Sequence, residues 1–210
     1  MSAQQTASWI YAEEFATDDP VVDAARRKGH ELGASPVSPA TGATLRLLAN
    51  ASKARTAVEI GSGAGVSGLY LLQGMPSDGV LTTIDIEPAN HKATRATFSA
   101  AGIPTQHTRA ICGDALDMLP RLADRGYDLV FVDGDEREYP QYVDQALRLL
   151  RTDGVLIVND MLWHGRVADP AARDETTVLL RDLGKELRDD DRLEVTLLPV
   201  GGGLLVGTRR

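Results

Sequence analysis

Three stretches of the chain carry residue types whose spacing could do chemistry. The first is Val58-Glu59-Ile60-Gly61-Ser62-Gly63-Ala64-Gly65-Val66-Ser67. Its glycines let the backbone turn tightly and approach a ligand, and a helix starting behind them offers free N–H groups to an anion. The second is Asp85 at the end of "TTID", about twenty residues further on, where a carboxylate can accept both hydroxyls of a ribose. The third is the pair of acidic endings Asp133-Gly134-Asp135 and Asn159-Asp160, each closing an apolar run.

The glycines alone do not choose a ligand, because Gly63, Gly65 and Gly68 also satisfy the G-x-G-x-x-G spacing of dinucleotide sites. Glu59 tips the balance. A carboxylate two residues before the first glycine is expected near the ligand, where it repels a pyrophosphate and attracts the ammonium and sulfonium of S-adenosylmethionine (SAM). Asp85 suits an adenosine of either kind. Asp114, in Gly113-Asp114-Ala115, either faces the adenine across the same crevice or simply caps the following helix.

These residues need a scaffold that brings them to one edge. Strand-like runs are "TAVEI", "VLTTIDI", "QHTRAI", "YDLVFVD" and "GVLIVND", with helical segments between them. Continuous Val/Ile/Leu strands alternating with helices indicate a parallel sheet covered on both faces, whose ligands bind beyond the carboxyl ends of the strands. "LEVTLLPV" and "LLVGTRR", separated by Gly201-Gly202-Gly203, read as a closing antiparallel hairpin. Ahead of the first strand, Asp19-Pro20 and Ser38-Pro39 each start a helix with a cap and a proline at the first helical position. No helix is expected before Asp19. The 210 residues fit one domain without linker or repeat.

With 30 acidic against 22 basic residues, the net charge of -8 disfavours a nucleic-acid backbone as partner. No apolar run is long enough to span a bilayer and the N-terminus lacks a secretion signal, so no membrane partner and a cytoplasmic location are expected. Cys112 is the only cysteine and is expected to be a buried strand-end residue.

The segments "SPVSPATGATLRLL", "VEIGSGAGVSGLYL", "LTTIDIEP", "GDALDMLP", "YDLVFVDGDEREYPQY" and "GVLIVNDMLWHGRV" together resemble the O-methyltransferase family that includes the catechol and caffeoyl-CoA enzymes, especially its bacterial members. The resemblance runs from about Pro36 to the C-terminus. It implies an α/β fold: a doubly wound, mostly parallel seven-stranded sheet of the Rossmann-like class I methyltransferase type, with an antiparallel last strand. N-terminal helices (1–52) would form a cap or lid over a core spanning 53–210. It implies SAM contacts at Val37, Glu59, Gly61, Ser62, Ser67, Asp85, Ile86, Ala115 and Asp135, to which Asp114 is added from its place at a strand end. It also implies a small phenolic or vicinal-diol substrate and a homodimer.

The family binds a divalent cation through an Asp at the first acidic ending and an Asp-Asn pair at the second. Asp133, Asn159 and Asp160 occupy those places here, with the pair reversed. Hard oxygen ligands suit Mg²⁺ or Ca²⁺, which would activate a substrate oxygen. The family's lysine, thought to act as base, is replaced by Glu136, which Arg137 would acidify if the two paired. Asp133 and His164 are therefore the catalytic candidates, and Trp163 either walls an aromatic pocket or packs in its loop. Alternatives are a SAM enzyme with a non-oxygen acceptor, an NAD-binding oxidoreductase and a non-catalytic SAM-binding regulator. "VNDMLW" lacks the Pro-Pro-aromatic element of adenine and glutamine methyltransferases.

Overall fold

The computed structural model describes residues 3–210. Three helices come first: α1 (Ala3–Glu14), α2 (Pro20–Glu31) and α3 (Pro39–Ala51). Strands and helices then alternate as β1 (Thr56–Ile60), α4 (Val66–Gly74), β2 (Val80–Asp85), α5 (Pro88–Ala100), β3 (Thr108–Cys112), α6 (Ala115–Met118) and β4 (Tyr127–Val132). The chain closes with α7 (Tyr139–Leu149), β5 (Leu150–Val158), α8 (Glu175–Arg188), β6 (Leu193–Leu198) and β7 (Leu204–Arg209).

The helix starts follow the expected chemistry. Asp19 accepts from the amides of Val21 and Val22 at 2.9 and 3.0 Å, and Ser38 accepts from Thr41 at 3.2 Å, each ahead of a proline at the first helical position. Helix α1 is a correction. Its Trp9, Ile10 and Tyr11, with Phe15 just beyond its end, stay exposed, so no buried stripe announced it.

The seven strands form one sheet in the order β3-β2-β1-β4-β5-β7-β6. Strands β1 to β5 pair in parallel, and β7 runs antiparallel to both β5 and β6. Apolar side chains alternate between the two faces of the sheet. Val58, Ile60, Val130 and Val132 meet α7 and α8, whereas Ala57, Leu129 and Phe131 meet the layer formed by α2 to α5.

Register places the site. Ile60 stands opposite both Ile84 and Val132, and Val132 opposite Val158, so four strands stop at one level. The pairing continues one step further, with Gly61 N–H donating to Ile84 O at 2.8 Å, Asp133 N–H to Ile60 O at 2.8 Å and Asn159 N–H to Val132 O at 3.0 Å. Gly61, Asp85, Asp133 and Asn159 thus emerge along a single edge. Strand β3 lies at the outer border of the sheet, and for that reason Cys112 is exposed rather than buried.

Candidate active site

A cavity of about 420 Å³ opens at this edge. Its floor is the glycine loop, where Gly61, Gly63 and Gly65 take φ of 90°, 50° and 91°. A side chain at 61 would bring its Cβ to 2.7 Å from the Asp133 carbonyl carbon. Only glycine lets the first turn of the loop lie flat against β4.

Asp85 fastens that loop. One carboxylate oxygen accepts from the amides of Ser62 at 3.1 Å and Gly63 at 2.8 Å, and the other accepts from Glu87 N–H at 2.9 Å. Thr94 Oγ1 donates to Gly63 O at 2.9 Å from the other side. Beside Asp85, Ile86 lines the cavity while 62 % exposed, an apolar surface with no protein cover. Asp114 lines the cavity and also caps α6 through Leu116 N–H at 2.8 Å.

Gly61, Ser62, Ser67, Asp85, Ile86, Asp114, Ala115, Asp133, Asp135, Asp160 and Val37 all line the cavity. Glu59 does not. The two-residue period of β1 turns its side chain to the face covered by α4, where it is fully buried against Gly68. Thr83 Oγ1 donates to it at 2.5 Å, while its second oxygen has no hydrogen-bond partner among the described residues. Burial pushes its pKa up to about 7 against the hydrogen bonds of Ser67 and Thr83, with the charge of Asp85 adding to the rise. The expectation that Glu59 faces the ligand directly is therefore corrected.

At the opposite end, Asn159 Nδ2 donates to Asp133 Oδ1 at 2.7 Å. Burial raises the Asp133 pKa well above the usual range, opposed by that hydrogen bond and reinforced by the charges of Asp160, Glu59 and Glu136. Asp160 adopts a φ of 53°, and Gly202 of the β6–β7 hairpin leaves room for its carboxylate. The hairpin also accepts from Met161 and Leu162 N–H at 3.0 and 2.9 Å, which anchors the strained turn after β5. Arg137 pairs with Asp135 rather than Glu136, bonding it from Nε at 2.9 Å. Burial instead raises the pKa of Glu136, helped by Asp160 and Asp135.

The described residues present no ready-made cage for a divalent cation. Asn159 turns a hydrogen-bond donor, not its oxygen, toward Asp133, and among the described residues no group of three His, Cys, Asp or Glu is arranged to hold an ion. His164, at φ 55°, is exposed, lies outside the cavity lining and reaches the site only through its charge, which acts on Asp160. Trp163 packs on the hydrophobic core beside α8 and does not line the cavity.

Sequence reasoning missed the fastening of the α2–α3 connection. Val37 is buried on the α2–α3 connection, and its carbonyl accepts from the Arg26 guanidinium. Arg26 Nε also donates to Asp18 at 2.6 Å, and Tyr70 donates to the other Asp18 oxygen. Burial opposes ionisation of Asp18, but the Arg26 and Tyr70 hydrogen bonds outweigh it and hold its pKa below the usual range. A charge-assisted bond of this kind is worth about 1.5–3 kcal/mol. Arg26→Ala is expected to raise the Kd for SAM about tenfold by calorimetry, near the lower end of that range. An unchanged Kd would mean that the clasp does not hold Val37 in place for the ligand. Tyr142 was also missed as a cavity residue, because it sits within the apolar stripe of α7 and reads as core.

A sheet of this order, with a glycine-loop cavity at its carboxyl edge, is that of a class I methyltransferase. The chain belongs to the O-methyltransferase family, whose model matches residues 13–210. A Mycobacterium bovis (strain BCG / Pasteur 1173P2) protein, provisionally named an O-methyltransferase, is 45 % identical over 201 residues, covering 96 % of this chain and 90 % of its own length. Among solved structures, a Corynebacterium glutamicum protein superposes with a TM-score of 0.89 at 32 % identity, covering 99 % of this chain and 97 % of that one. The O-methyltransferase TomG of Streptomyces achromogenes, involved in tomaymycin synthesis and crystallised with SAM, gives 0.86 at 28 % identity over 100 % and 99 % of the two chains. The oxidoreductase alternative falls with this membership. No helix among the described residues is long and apolar enough to cross a membrane.

Proposed function

We propose that the cavity binds SAM and that the protein transfers its methyl group to a hydroxyl oxygen of a small phenol or vicinal diol. The observation that carries this reading is the Asp85-fastened glycine loop with the uncovered Ile86 beside it. It offers a carboxylate for ribose hydroxyls, an apolar surface for adenine and the α4 N-terminus for the methionine carboxylate. Crystallisation of the related TomG with SAM supports the same ligand.

The Asn159-oriented Asp133 takes the proton of the acceptor hydroxyl, its raised pKa bringing it nearer to that of a phenol. The acceptor oxygen forms a bond to the methyl carbon as the carbon–sulfur bond breaks, and sulfur keeps the electron pair. In-line positioning supplies most of the acceleration. A homodimer completes the reading, supported by the exposed aromatic side chains of α1, and so does a cytoplasmic location.

The test is turnover of catechol with SAM in purified protein, with EDTA or Mg²⁺ added. Activity is expected to persist in EDTA, and Asp133→Asn is expected to lower kcat by about 100-fold or more while SAM binding is kept. Loss in EDTA with recovery in Mg²⁺ would overturn the metal-free assignment. Full activity of the variant would remove Asp133 as base.

A further inference from the structure

The charge on the cavity wall is one-sided. Eight carboxylate residues line it, and no Lys, Arg or His does. At the acceptor end, Asp135 is matched by Arg137, and Glu138 accepts from the Tyr142 hydroxyl. Asp133, Glu136 and Asp160 have no ion-pair partner among the described residues. Carboxylates withdrawn from water are costly unless a positive charge meets them.

The polar atoms behind this wall are also unfinished. Among the described residues, the Oδ1 of Asn159, itself 5 % exposed, has no partner, and the hydroxyl of the fully buried Tyr139 has none either. The bound sulfonium cofactor carries one net positive charge, which leaves most of the negative wall unmatched. A compact metal ion is a poor candidate for the rest, for the reasons of donor geometry given above.

We infer that the methyl acceptor itself carries a positive charge, an ammonium or guanidinium group, seated against Glu136 and Asp160. This rests on the reading of the protein as a SAM-dependent O-methyltransferase and names its substrate class. Glu136 is the specificity-determining position. Both it and Asp160 line the cavity, and the charge of Asp160 acts on Glu136, so a cation seated against the pair relieves that repulsion. The same wall repels a carboxylate, a phosphate or an acyl-CoA thioester. A lysine at 136, as the resemblance leads one to expect, would reverse that preference.

The experiment compares three acceptors that share one catechol ring: the unsubstituted ring, the ring with an aminoethyl arm and the ring with a carboxymethyl arm. In the wild type, kcat/KM is expected to fall in the order ammonium, neutral, carboxylate, with about 100-fold between the extremes, given what like-charge contacts cost in a shielded site. Glu136→Gln is expected to narrow that ratio about fivefold and Glu136→Lys to bring it to one or invert it, since only the charge-dependent part of the free energy changes.

Titration of the same three compounds into protein loaded with S-adenosylhomocysteine reads the preference without turnover. Tighter ammonium binding with no methylation would overturn the proposed reaction and uphold only the seating of a cation against Glu136 and Asp160. Turnover of all three at equal efficiency, preference for the carboxylate or no measurable binding of the ammonium compound would overturn the inference. A ratio unaltered in both Glu136 variants would overturn the assignment to that residue.

Discussion

Gly61→Ala is expected to unfold the protein some ten degrees earlier and to abolish measurable SAM binding. Two separate costs add at this position. Its φ of 90° lies in the left-handed region, where a side chain costs about 1–2 kcal/mol. The new Cβ would also press on the Asp133 carbonyl and lie 3.1 Å from Gly134 N, all of it backbone that cannot rotate aside. Together these are expected to remove about 3–5 kcal/mol, which for a domain of this size corresponds to about 10 °C in Tm. Either β1 or β4 must shift, and both carry cavity residues at their ends. Gly102 is the control. Its φ of 70° is also left-handed, but nothing lies within 4 Å, so Gly102→Ala is expected to show the strain alone. Scanning calorimetry and SAM titration decide. Equal Tm values for the two variants would show that the Asp133 contact is yielding.

Glu59→Gln is expected to make the protein more stable above neutral pH and less sensitive to pH below it. The folded pKa of about 7 lies above the unfolded value of 4.5, so the native state holds a proton that the unfolded chain has released. Stability therefore falls as pH rises from about 4.5 to about 7, then levels off. The shift corresponds to at most about 3 kcal/mol between the ends of that window. Glutamine keeps an acceptor for Thr83 Oγ1 and removes the charge, so the variant should lack this decline. Denaturant unfolding at pH 5 and pH 8 measures it. The same slope in both proteins would mean that Glu59 is ionised in the fold without penalty.

Much of the scaffold was readable because local signals agreed with one another. Asp19-Pro20 and Ser38-Pro39 mark their helices through cap chemistry, and the seven strands were found by composition with ends off by at most four residues and β1 matched at both ends. The glycine loop, Asp85 and the two acidic endings were readable as a site because strands of a parallel sheet terminate together.

Side-chain direction was not. Glu59 is close to the loop in sequence, yet the alternation of β1 sends its carboxylate beneath the loop, and spacing to a glycine carries no information about which face a residue occupies. The partner of Arg137 was undecidable for the same reason, since Asp135 and Glu136 both neighbour it closely in the chain. The Arg26–Asp18–Tyr70 clasp joins residues up to 52 positions apart, and nothing in the local sequence of any member names its partners. Helix α1 stayed hidden because it buries no apolar stripe.

The bordering position of β3 has a practical consequence. It leaves the chain's single thiol in contact with solvent, one residue before Gly113 on the cavity wall. A maleimide dye would attach there and nowhere else, giving a homogeneous fluorescent reporter of cofactor loading without any engineered mutation.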